Sequence, residues 1–395
     1  MGKSGLSFIT PTVCHILECE QATGEKSVRI ALVVPGGVDR SGEYRVIPAL
    51  IALIRRLALR DEVHVLALRQ EEDACEWDLA GARIHNVGSR RTRLRAVRAV
   101  CEMHRSSHFA LVHAVWSGAC GQVAVVAAAL LGIPSLIHVA GGELVALPEI
   151  GYGGRLRWRG RISEGMVLRT ASAITAASAP VIEMISRLGL TAERVPLGVD
   201  LDSWPARAPV RRSTGSLARL VHVASLNRVK DQATLLRALA ALTQRGVSFE
   251  MDLVGEDTLQ GEIQGLAAQL GLTARVRFHG FLTRRRLRPI VEAADLMIIS
   301  SRHETGPVAM LEAAVAGVPA IGTCVGHIAE WAPSAATSVP AGDWAAMADA
   351  IVQLLADENL RLGIAREAHR RALAEDADYT AERFRTLYTR LADRK

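Results

Sequence analysis

Aromatic residues are scarce in this chain of 395 residues, because Phe, Trp and Tyr together make up only 4% of it. Proteins that bind single-stranded nucleic acid stack bases on such side chains, so base stacking is not expected here. The six cysteines, at positions 14, 19, 75, 101, 120 and 324, form neither a C-x-x-C pair nor a metal-ligand spacing. They are therefore expected to be free thiols in a reducing cytoplasm.

Long uninterrupted apolar runs are also missing. The longest, from Val123 to Val139, is interrupted by Gly132 and Pro134, so it predicts a buried helix and a buried strand, not a membrane span. Residues 1–26 show no signal-peptide pattern and are expected to form a poorly ordered extension. The first predicted strand is not followed by G-x-G-x-x-G, which argues against an NAD(P) oxidoreductase.

What the chain does contain is typical of a globular protein. Hydrophobic residues make up 49% and charged residues 22%, and the length suggests about two domains. The net charge of +6 is modest for this length. It suits an acidic small molecule or an anionic lipid surface, and it gives no reason to expect a nucleic-acid partner.

Strand and helix patterns alternate along most of the chain. Short apolar runs at 28–34, 62–68, 82–87 and 110–116 predict buried strands. Such alternation is typical of α/β proteins with a parallel, doubly wound sheet, which bind ligands at the carboxyl ends of the strands. A segment rich in Pro, Arg, Ser and Gly at 206–216 indicates a linker, after which the same alternation restarts.

Residues 295–318 form a strand, a loop and a helix start. The apolar run predicts a buried parallel strand, and Pro307 then fits the first position of a helix that Gly317 ends, with Thr305 or Gly306 as its cap. The free amides and the dipole of such a helix start favour an anion. The segment therefore predicts an anion-binding site.

Two carboxylates, Glu304 and Glu312, lie in this segment with seven residues between them. Glu312 falls on the apolar stripe of the predicted helix, where a carboxylate is unfavourable unless something pairs with it. It is either a residue at the edge of the core face or an acceptor for a ribose diol.

Cations precede another predicted helix start. Arg228 and Lys230 come directly before a helix that is expected to begin near Asp231. Positive charge there opposes the helix dipole, so it suggests a bound anion, with solvated loop residues as the alternative.

After the first strand, Gly36 and Gly37 would let a ligand approach the backbone, or they form a plain tight turn.

Together these motifs resemble the retaining GT-B glycosyltransferases of family 4, the group 1 glycosyl transferases. The resemblance covers roughly 28–390 and rests on E-x7-E at Glu304 and Glu312, on S-L-x3-K ending at Lys230, and on the strands between them. It implies two Rossmann-like domains with doubly wound parallel sheets and a cleft between them. The implied parts are an N-terminal extension (1–26), an acceptor-binding domain (27–204), a linker (205–216), a nucleotide-sugar-binding domain (217–372) and a C-terminal helix that crosses back to the first domain (373–395).

The resemblance also implies the reaction. A hexosyl group would pass from a nucleotide diphosphate sugar to a glycan, lipid-linked or small-molecule acceptor, with retention of configuration and without a metal or other cofactor. The turn V-P-L-G-V-D resembles the family's domain boundary. Its D-x-D, Asp200 and Asp202, lies in this hinge and is assigned no metal role.

Carried over by position, Glu304 would face the donor sugar as a catalytic residue. Glu312 would hold the ribose, and Lys230 would bind the diphosphate. The other implied donor-binding residues are Ser225, Arg228, Gly255, Gly280, Gly306, Pro307 and Val308. The implied acceptor or phosphate loops contain Gly36, Gly37, Gly141, Gly142 and Glu143.

The first domain departs from the family at one catalytic position. The family histidine at the end of the 134–140 strand falls at Ala140. His138, two residues earlier, is the catalytic candidate, and His113 is a second one. The loop with Gly141, Gly142 and Glu143 is the alternative source of the missing contact.

The second domain departs from the family at two positions. Gly306 stands where the family often has an aromatic residue, and Ser225 stands where it has a phosphate-binding arginine. Arg228 is the candidate to supply that guanidinium instead.

Other functions stay open at this stage. The fold does not determine the function. The chain could also be a non-catalytic nucleotide-sugar-binding subunit, or an epimerase or phosphorylase with the same fold. The run Arg90–Arg98 is either a solvated face or a basic helix for peripheral contact with anionic lipid at the inner face of the plasma membrane.

Overall fold

The computed structural model describes residues 27–213 and 215–393, so the expected N-terminal extension (1–26) lies outside the described residues. Two β-sheets organise these residues. The first has eight strands in the order β3-β4-β2-β1-β5-β6-β7-β8, and only the β3–β4 pair is antiparallel. Its strands are β1 (Arg29–Val34), β2 (Glu62–Ala67), β3 (Cys75–Leu79), β4 (Ala82–Asn86), β5 (Leu111–Val115), β6 (Ser135–Val139), β7 (Ala173–Ala176) and β8 (Glu193–Arg194).

Helices cover both faces of this first sheet, which is why its central strands are buried on both sides. They are α1 (Pro48–Ala58), α2 (Thr92–Ser106), α3 (Ala119–Leu131), α4 (Trp158–Thr170) and α5 (Ala179–Ser186). Helices α2 to α5 share one buried cluster, whereas α1 belongs to the cluster on the opposite face. Helix α1 begins at Pro48, whose fixed φ suits a first helical position.

The second sheet has six parallel strands in the order β11-β10-β9-β12-β13-β14. They are β9 (Ala218–Val223), β10 (Phe249–Val254), β11 (Val276–Phe278), β12 (Leu296–Ile299), β13 (Ala320–Thr323) and β14 (Thr337–Val339). The helices after β9 are α6 (Gln232–Gln244), α7 (Glu262–Gln269), α8 (Arg284–Glu292), α9 (Val308–Val315), α10 (Gly326–Trp331), α11 (Trp344–Ala356), α12 (Glu358–Ala374) and α13 (Ala377–Ala392). The prediction of two α/β domains with parallel sheets is confirmed.

The last helix returns to the first sheet. Phe384 and Tyr388 of α13 are fully buried in the cluster that also contains α1 and the strands β1 and β2. Arg385 pairs with the buried Asp61 at 3.0 Å between Nε and Oδ2. The exact domain boundaries stay a prediction, and α12 runs through the expected boundary at 372.

The two sheets face each other through their carboxyl ends. Thr305, in the loop after β12, donates a hydrogen bond from Oγ1 to the carbonyl oxygen of Ala140, directly after β6, at 2.9 Å. Ser178, after β7, donates from Oγ to the carbonyl oxygen of Thr305 at 2.5 Å. In doubly wound sheets this is the edge at which ligands bind. Among the described residues, no helix is both long and apolar enough to cross a bilayer.

Candidate active site

Lys230 and Glu304, 74 positions apart in the sequence, are in direct contact. Lys230 Nζ donates to Glu304 Oε1 at 2.5 Å, and Ser301 Oγ donates to the same oxygen at 2.6 Å. The backbone holds the lysine in place, since the Ser300 hydroxyl donates to the Lys230 carbonyl oxygen at 2.7 Å. An ammonium and a carboxylate are thus fixed side by side at the carboxyl ends of β9 and β12.

The helix after Glu304 begins almost where the sequence predicts. Pro307 has an extended conformation with ψ 108° and caps the helix, so α9 begins at Val308, one residue later than expected. Gly317 follows its end with φ +78°, as a helix-terminating glycine does. The Met310 amide donates to the carbonyl oxygen of Pro307 at 3.0 Å, which leaves the amides of Val308 and Ala309 as the unpaired donors of the first turn, after the carboxyl end of β12.

Gly306 explains why this chain has no aromatic residue at that position. A Cβ on Gly306 would lie 2.8 Å from His327 Nε2 and 3.1 Å from the Ala177 methyl group. His327 is itself buried, and its Nε2 has no hydrogen-bond partner among the described residues. The space that an aromatic ring would need is therefore already filled.

Glu312 is a buried carboxyl without a partner. Its side chain is only 8% exposed, and no hydrogen bond or ion pair is formed by it among the described residues. Burial raises the pKa of Glu312 from 4.5 to about 7, and the nearby Arg284 opposes part of this rise. Such an acceptor is costly unless a ligand donates hydrogen bonds to it.

A cleft of about 1300 Å³ separates the two domains beside Glu312. The first domain lines it with the loop 41–46, and the second domain lines it with Ser225, Gly255, Val308 and Glu312. Lys230 and Glu304 are not among the lining residues; Lys230 follows the lining residue Ser225 in the loop after β9, and Glu304 precedes the lining residue Val308 by four positions. The Gly36–Gly37 turn, with φ +77° at Gly37, starts the chain toward the loop 41–46.

Two further glycines set the shape of the second domain's strand ends. Gly255 has φ +154°, and a Cβ there would lie 1.9 Å from the Ala224 carbonyl oxygen, so the backbones at the ends of β9 and β10 approach closely. Gly280 has φ +65°, and its carbonyl oxygen accepts from the Gly255 amide at 2.9 Å.

Arginines line the cleft, but Arg228 is not among them. Arg228 is exposed and pairs with Glu262 at 3.0 Å on the far side of its loop. The guanidinium groups that line the cleft belong to Arg45, Arg55, Arg284, Arg285 and Arg288. Three of these belong to α8, where the sequence reads R-R-R-L-R two residues after the H-G-F turn. That run was the signal which the sequence analysis overlooked.

The first domain places a second buried carboxyl opposite the Glu304 loop. Glu143 Oε1 accepts from the Ser117 amide at 3.0 Å, while Oε2 is buried with no partner among the described residues. Burial raises the pKa of Glu143 from 4.5 to about 7, and the charge of Glu164 adds to the rise.

Tyr152 connects Glu143 with the Glu304 loop. The pKa of Tyr152 is raised to about 12, first by burial and then by the charges of Glu304 and Glu143. Its ring centroid lies 6.2 Å from that of His303, whose Nε2 is 3.3 Å from the Gly141 carbonyl oxygen. Gly142 packs against the Tyr152 ring. The loop after β6, the alternative source of the contact that the missing histidine would make, therefore lies against the predicted catalytic segment.

His138 has a different position from the one expected. It is 0% exposed, its Nδ1 is 3.0 Å from Thr175 Oγ1, and its ring packs edge-on against Phe384 of α13. His113 is equally buried, with Nδ1 2.8 Å from the Tyr388 hydroxyl. Burial lowers the pKa of both imidazoles. Both side chains belong to the core beneath α13 and cannot touch a ligand in the cleft, which corrects the expectation of a catalytic His138.

The D-x-D turn forms ion pairs. Asp200 accepts from Arg55 at 2.7 Å and from Arg56 at 3.0 Å, and Asp202 accepts from Arg56 at 2.8 Å. These pairs join α1 to the segment between the two sheets. No group of His, Cys, Asp and Glu side chains with metal-binding geometry occurs within 27–213 and 215–393.

Family models match both halves of the chain. The model described as "Glycosyl transferases group 1" matches residues 211–371, and "Glycosyl transferase 4-like domain" matches 42–198. A D-inositol 3-phosphate glycosyltransferase of Salinispora arenicola is 30% identical over 313 residues, which are 72% of this chain and 69% of that protein. The chain belongs to the group 1 glycosyl transferases.

Solved structures show the same fold as this glycosyltransferase. Sucrose-phosphate synthase from Thermosynechococcus elongatus superposes with a TM-score of 0.78 at 19% identity, covering 93% of this chain and all of that one. Anabaena HepE in complex with UDP and glucose superposes with a TM-score of 0.72 at 18% identity, covering 92% of this chain and 100% of that one. The GT-B architecture is therefore confirmed.

Proposed function

We propose that this glycosyltransferase transfers a hexosyl group from a nucleotide diphosphate sugar to an acceptor hydroxyl, with retention of configuration. The observation that carries the proposal is the Lys230–Glu304 contact of 2.5 Å at the carboxyl edge of the second sheet. The cleft beside it is rich in arginine and holds the unpaired Glu312. HepE, which has the same fold, was solved with UDP and glucose.

The donor is proposed to bind mainly to the second domain. Its ribose hydroxyls donate to the Glu312 carboxylate, which supplies the partners that this buried group lacks. The diphosphate lies between Lys230 and the first-turn amides of α9, where the lysine and the helix dipole stabilise negative charge. Arg284, beside Glu312, adds the guanidinium charge that Ser225 cannot supply.

Glu304 is proposed to face the donor sugar. Its Oε1 already accepts from Lys230 and Ser301, so the carboxylate is oriented before the substrate arrives. The remaining oxygen, Oε2, is then available to accept from a sugar hydroxyl. On the acceptor side, Glu143 Oε2 and the Gly141–Gly142 backbone are proposed to contact the incoming hydroxyl group.

In the proposed reaction, the bond between the anomeric carbon and the β-phosphate oxygen breaks. The acceptor oxygen bonds to the same face of the anomeric carbon, and its proton passes to the leaving diphosphate. Lys230 and the helix amides stabilise the charge that develops on that diphosphate, an electrostatic effect of the kind that usually dominates such steps. We propose no divalent metal in this step, because the cationic side chains at the site can supply the positive charge.

A thermal-shift screen against nucleoside diphosphates and nucleotide sugars tests the donor site. A ligand at 100 times its Kd stabilises the folded protein by about 2.7 kcal/mol. We expect one nucleoside diphosphate to raise the Tm of the wild-type protein, with the shift lost in both Lys230→Ala and Glu312→Ala. Arg237→Ala, an exposed cation on α6, and Glu149→Ala, an exposed carboxylate, are the matched controls and should keep the shift.

Product analysis with the donor so identified tests the reaction itself. Transfer to an acceptor, or slow hydrolysis of the donor, is expected from the wild-type protein and not from Glu304→Gln. Binding without turnover would instead indicate a non-catalytic subunit. Conversion of the donor to an epimer, or a requirement for inorganic phosphate, would indicate one of the alternative enzymes and refute the transferase.

A further inference from the structure

The outer surface of α3 and α4 is apolar where a protein surface is normally polar. Trp158, Ile162 and Met166 follow one another at intervals of four along α4 and are 64%, 54% and 65% exposed. Leu130 and Val126 of α3 are 68% and 47% exposed beside them. A groove of about 520 Å³ runs between the two helices and is lined by these five side chains.

This apolar surface, defined by the five residues above, is not an exposed part of the core. Helix α4 is anchored to the sheet by its opposite side, where Val167 and Leu168 are buried in the cluster shared with α3. The apolar stripe therefore points outward. Contiguous apolar patches of this kind are unusual on a protein surface and mark sites of interaction with a partner or a membrane.

The exposed charges on α4 and on residues 151–157 before it all have one sign. The exposed or half-exposed ionic groups of α4 and of the segment that leads into it are arginines, namely Arg155, Arg157, Arg159, Arg161 and Arg169. The guanidinium of Arg159 lies over the Trp158 ring, 5.4 Å from its centroid. The single carboxylate of α4, Glu164, points inward and accepts from Ser117 Oγ at 2.5 Å. Helix α3 carries no ionic residue.

The neighbouring helix extends the basic border. Helix α2 packs beside α3 on the same face of the first sheet. Its N-terminal part exposes the arginines of the run 90–98 and also Leu94, which is 65% exposed. Only Arg98 of this run has a carboxylate partner among the described residues, at 2.7 Å from Glu102. The face thus combines an apolar centre with a guanidinium rim.

We propose that this face docks on an anionic lipid bilayer. Trp158, Ile162, Met166, Leu130 and Val126 enter the boundary between headgroups and acyl chains, and the arginines around them contact lipid phosphates. An apolar side with a cationic rim is the combination that binds the interfacial plane of anionic membranes. A second copy of the chain is a poorer occupant, because a symmetric contact would bring the same arginines against each other.

Packing and a hydrogen bond link the face proposed to dock on lipid to the loop after β6. The carbonyl oxygen of Gly154 packs against Gly160 in the first turn of α4, and the Gly154 amide donates to the Gly142 carbonyl oxygen at 2.8 Å. The same loop carries Tyr152 toward His303. One consequence rests on the proposed function: an acceptor carried by a membrane lipid would reach the cleft along this loop.

Vesicle flotation of the full-length protein tests the proposal without any substrate, so the result is independent of transferase activity. Vesicles of phosphatidylcholine alone are compared with vesicles in which roughly one lipid in three is phosphatidylglycerol. The wild-type protein should float with the anionic vesicles only, and its binding should weaken several-fold when salt is raised from about 0.1 to about 0.5 M.

Two pairs of variants separate the two kinds of contact. Trp158→Ser with Met166→Ser should lower the vesicle partition coefficient about tenfold or more, whereas Trp344→Ser, at an exposed tryptophan of the second domain, should leave it unchanged. The double variant Arg157→Glu with Arg159→Glu should also lower the partition coefficient about tenfold or more. Arg237→Glu on α6 should have a much smaller effect. A cooperative thermal unfolding transition near the wild-type Tm shows that each variant is folded.

Depth of insertion provides a second readout. Brominated lipids should quench part of the tryptophan fluorescence, and Trp158→Phe, which keeps an apolar ring, should still bind while losing that quenching. Equal binding to neutral vesicles, no binding to either kind, or full binding by the Trp158→Ser and Met166→Ser variant would overturn the proposal. So would a wild-type dimer in solution that this double variant converts to monomer, because the occupant would then be a second copy.

Discussion

Replacing Glu312 by Gln should make the free protein more stable at pH 8 than the wild type, although it removes a proposed substrate contact. The pKa of Glu312 is raised from 4.5 to about 7 because the carboxyl is buried. One pKa unit corresponds to about 1.4 kcal/mol, so holding the ionised carboxylate in this site costs on the order of 3 kcal/mol. Gln has nearly the same shape and is neutral at every pH.

The sign of the pH dependence follows from linkage. Because the pKa in the folded state lies above that of the unfolded chain, the protonated carboxyl adds its full stability below pH 4.5 and loses it as the pH rises through 7. Glu312→Gln should therefore match the wild type near pH 4.5 and exceed it by about 3 kcal/mol at pH 8. Glu143 titrates in the same range but is present in both proteins, so its contribution cancels.

Thermal unfolding at pH 5, 6, 7 and 8 measures the effect. The Tm difference between Glu312→Gln and wild type should grow by roughly 5 °C across this range. Glu149→Gln, at an exposed carboxylate, is the matched control and should show a constant difference. A Glu312→Gln protein whose advantage does not increase with pH would refute the reasoning, because the carboxyl would then be hydrated or paired.

Ligand binding should favour the ionised form of Glu312, which the free protein disfavours. Ribose hydroxyls that donate to Glu312 favour the ionised form, so a nucleotide sugar should release close to half a proton when it binds near pH 7. Calorimetry in buffers of different ionisation enthalpy measures that release. Glu312→Gln should release none and should bind roughly tenfold to a hundredfold more weakly, as expected for a lost hydrogen bond to a charged group.

Three other substitutions test the remaining parts of the structure. Phe384→Ala should lower the free energy of unfolding by about 3–5 kcal/mol in denaturant titration, since the ring is buried between α13 and the first domain, whereas Leu59→Ala, 72% exposed, should change little. Gly306→Phe, which restores the aromatic residue common in the family, should lower the Tm and the donor affinity, because its Cβ would lie 2.8 Å from His327 Nε2. Glu143→Gln should raise the KM for the acceptor in steady-state kinetics and leave the KM for the donor unchanged; an equal change in both would contradict an acceptor role.

The second domain could be predicted closely because its signals are local. Strand β12 is a short apolar run, and the helix starts are marked by Asp231 and Pro307 within two residues of their positions in the structure. The positions of Lys230 and Glu304 follow from the parallel topology, which brings the carboxyl ends of β9 and β12 together. The position of a side chain at the end of a strand can be predicted once the order of the strands is known.

The site residues of the first domain are harder to predict, because the positions of their side chains depend on contacts with residues distant in the sequence. Period-two alternation places His138 on one face of β6, but only the return of α13, some 250 residues later, decides that this face is covered. The direction of Arg228 depends in the same way on Glu262, which neutralises it outside the cleft. Helix α4 escaped the sequence analysis because its arginines and glycines dilute the apolar stripe, and only the structure shows that the stripe faces outward.

The three carboxyls near the cleft differ in a way that points to a division of roles. Glu304 already has its cation, at 2.5 Å from Lys230, whereas Glu312 and Glu143 are buried with oxygen atoms that nothing in the described chain satisfies. A paired carboxylate keeps its charge and orientation without a substrate, and an unpaired one gains its partners only when a hydroxyl-bearing ligand arrives. One unpaired carboxyl lies in each domain, Glu312 in the second and Glu143 in the first. The two proposed substrates are therefore divided between the domains, with the donor supplying the partners of Glu312 and the acceptor those of Glu143.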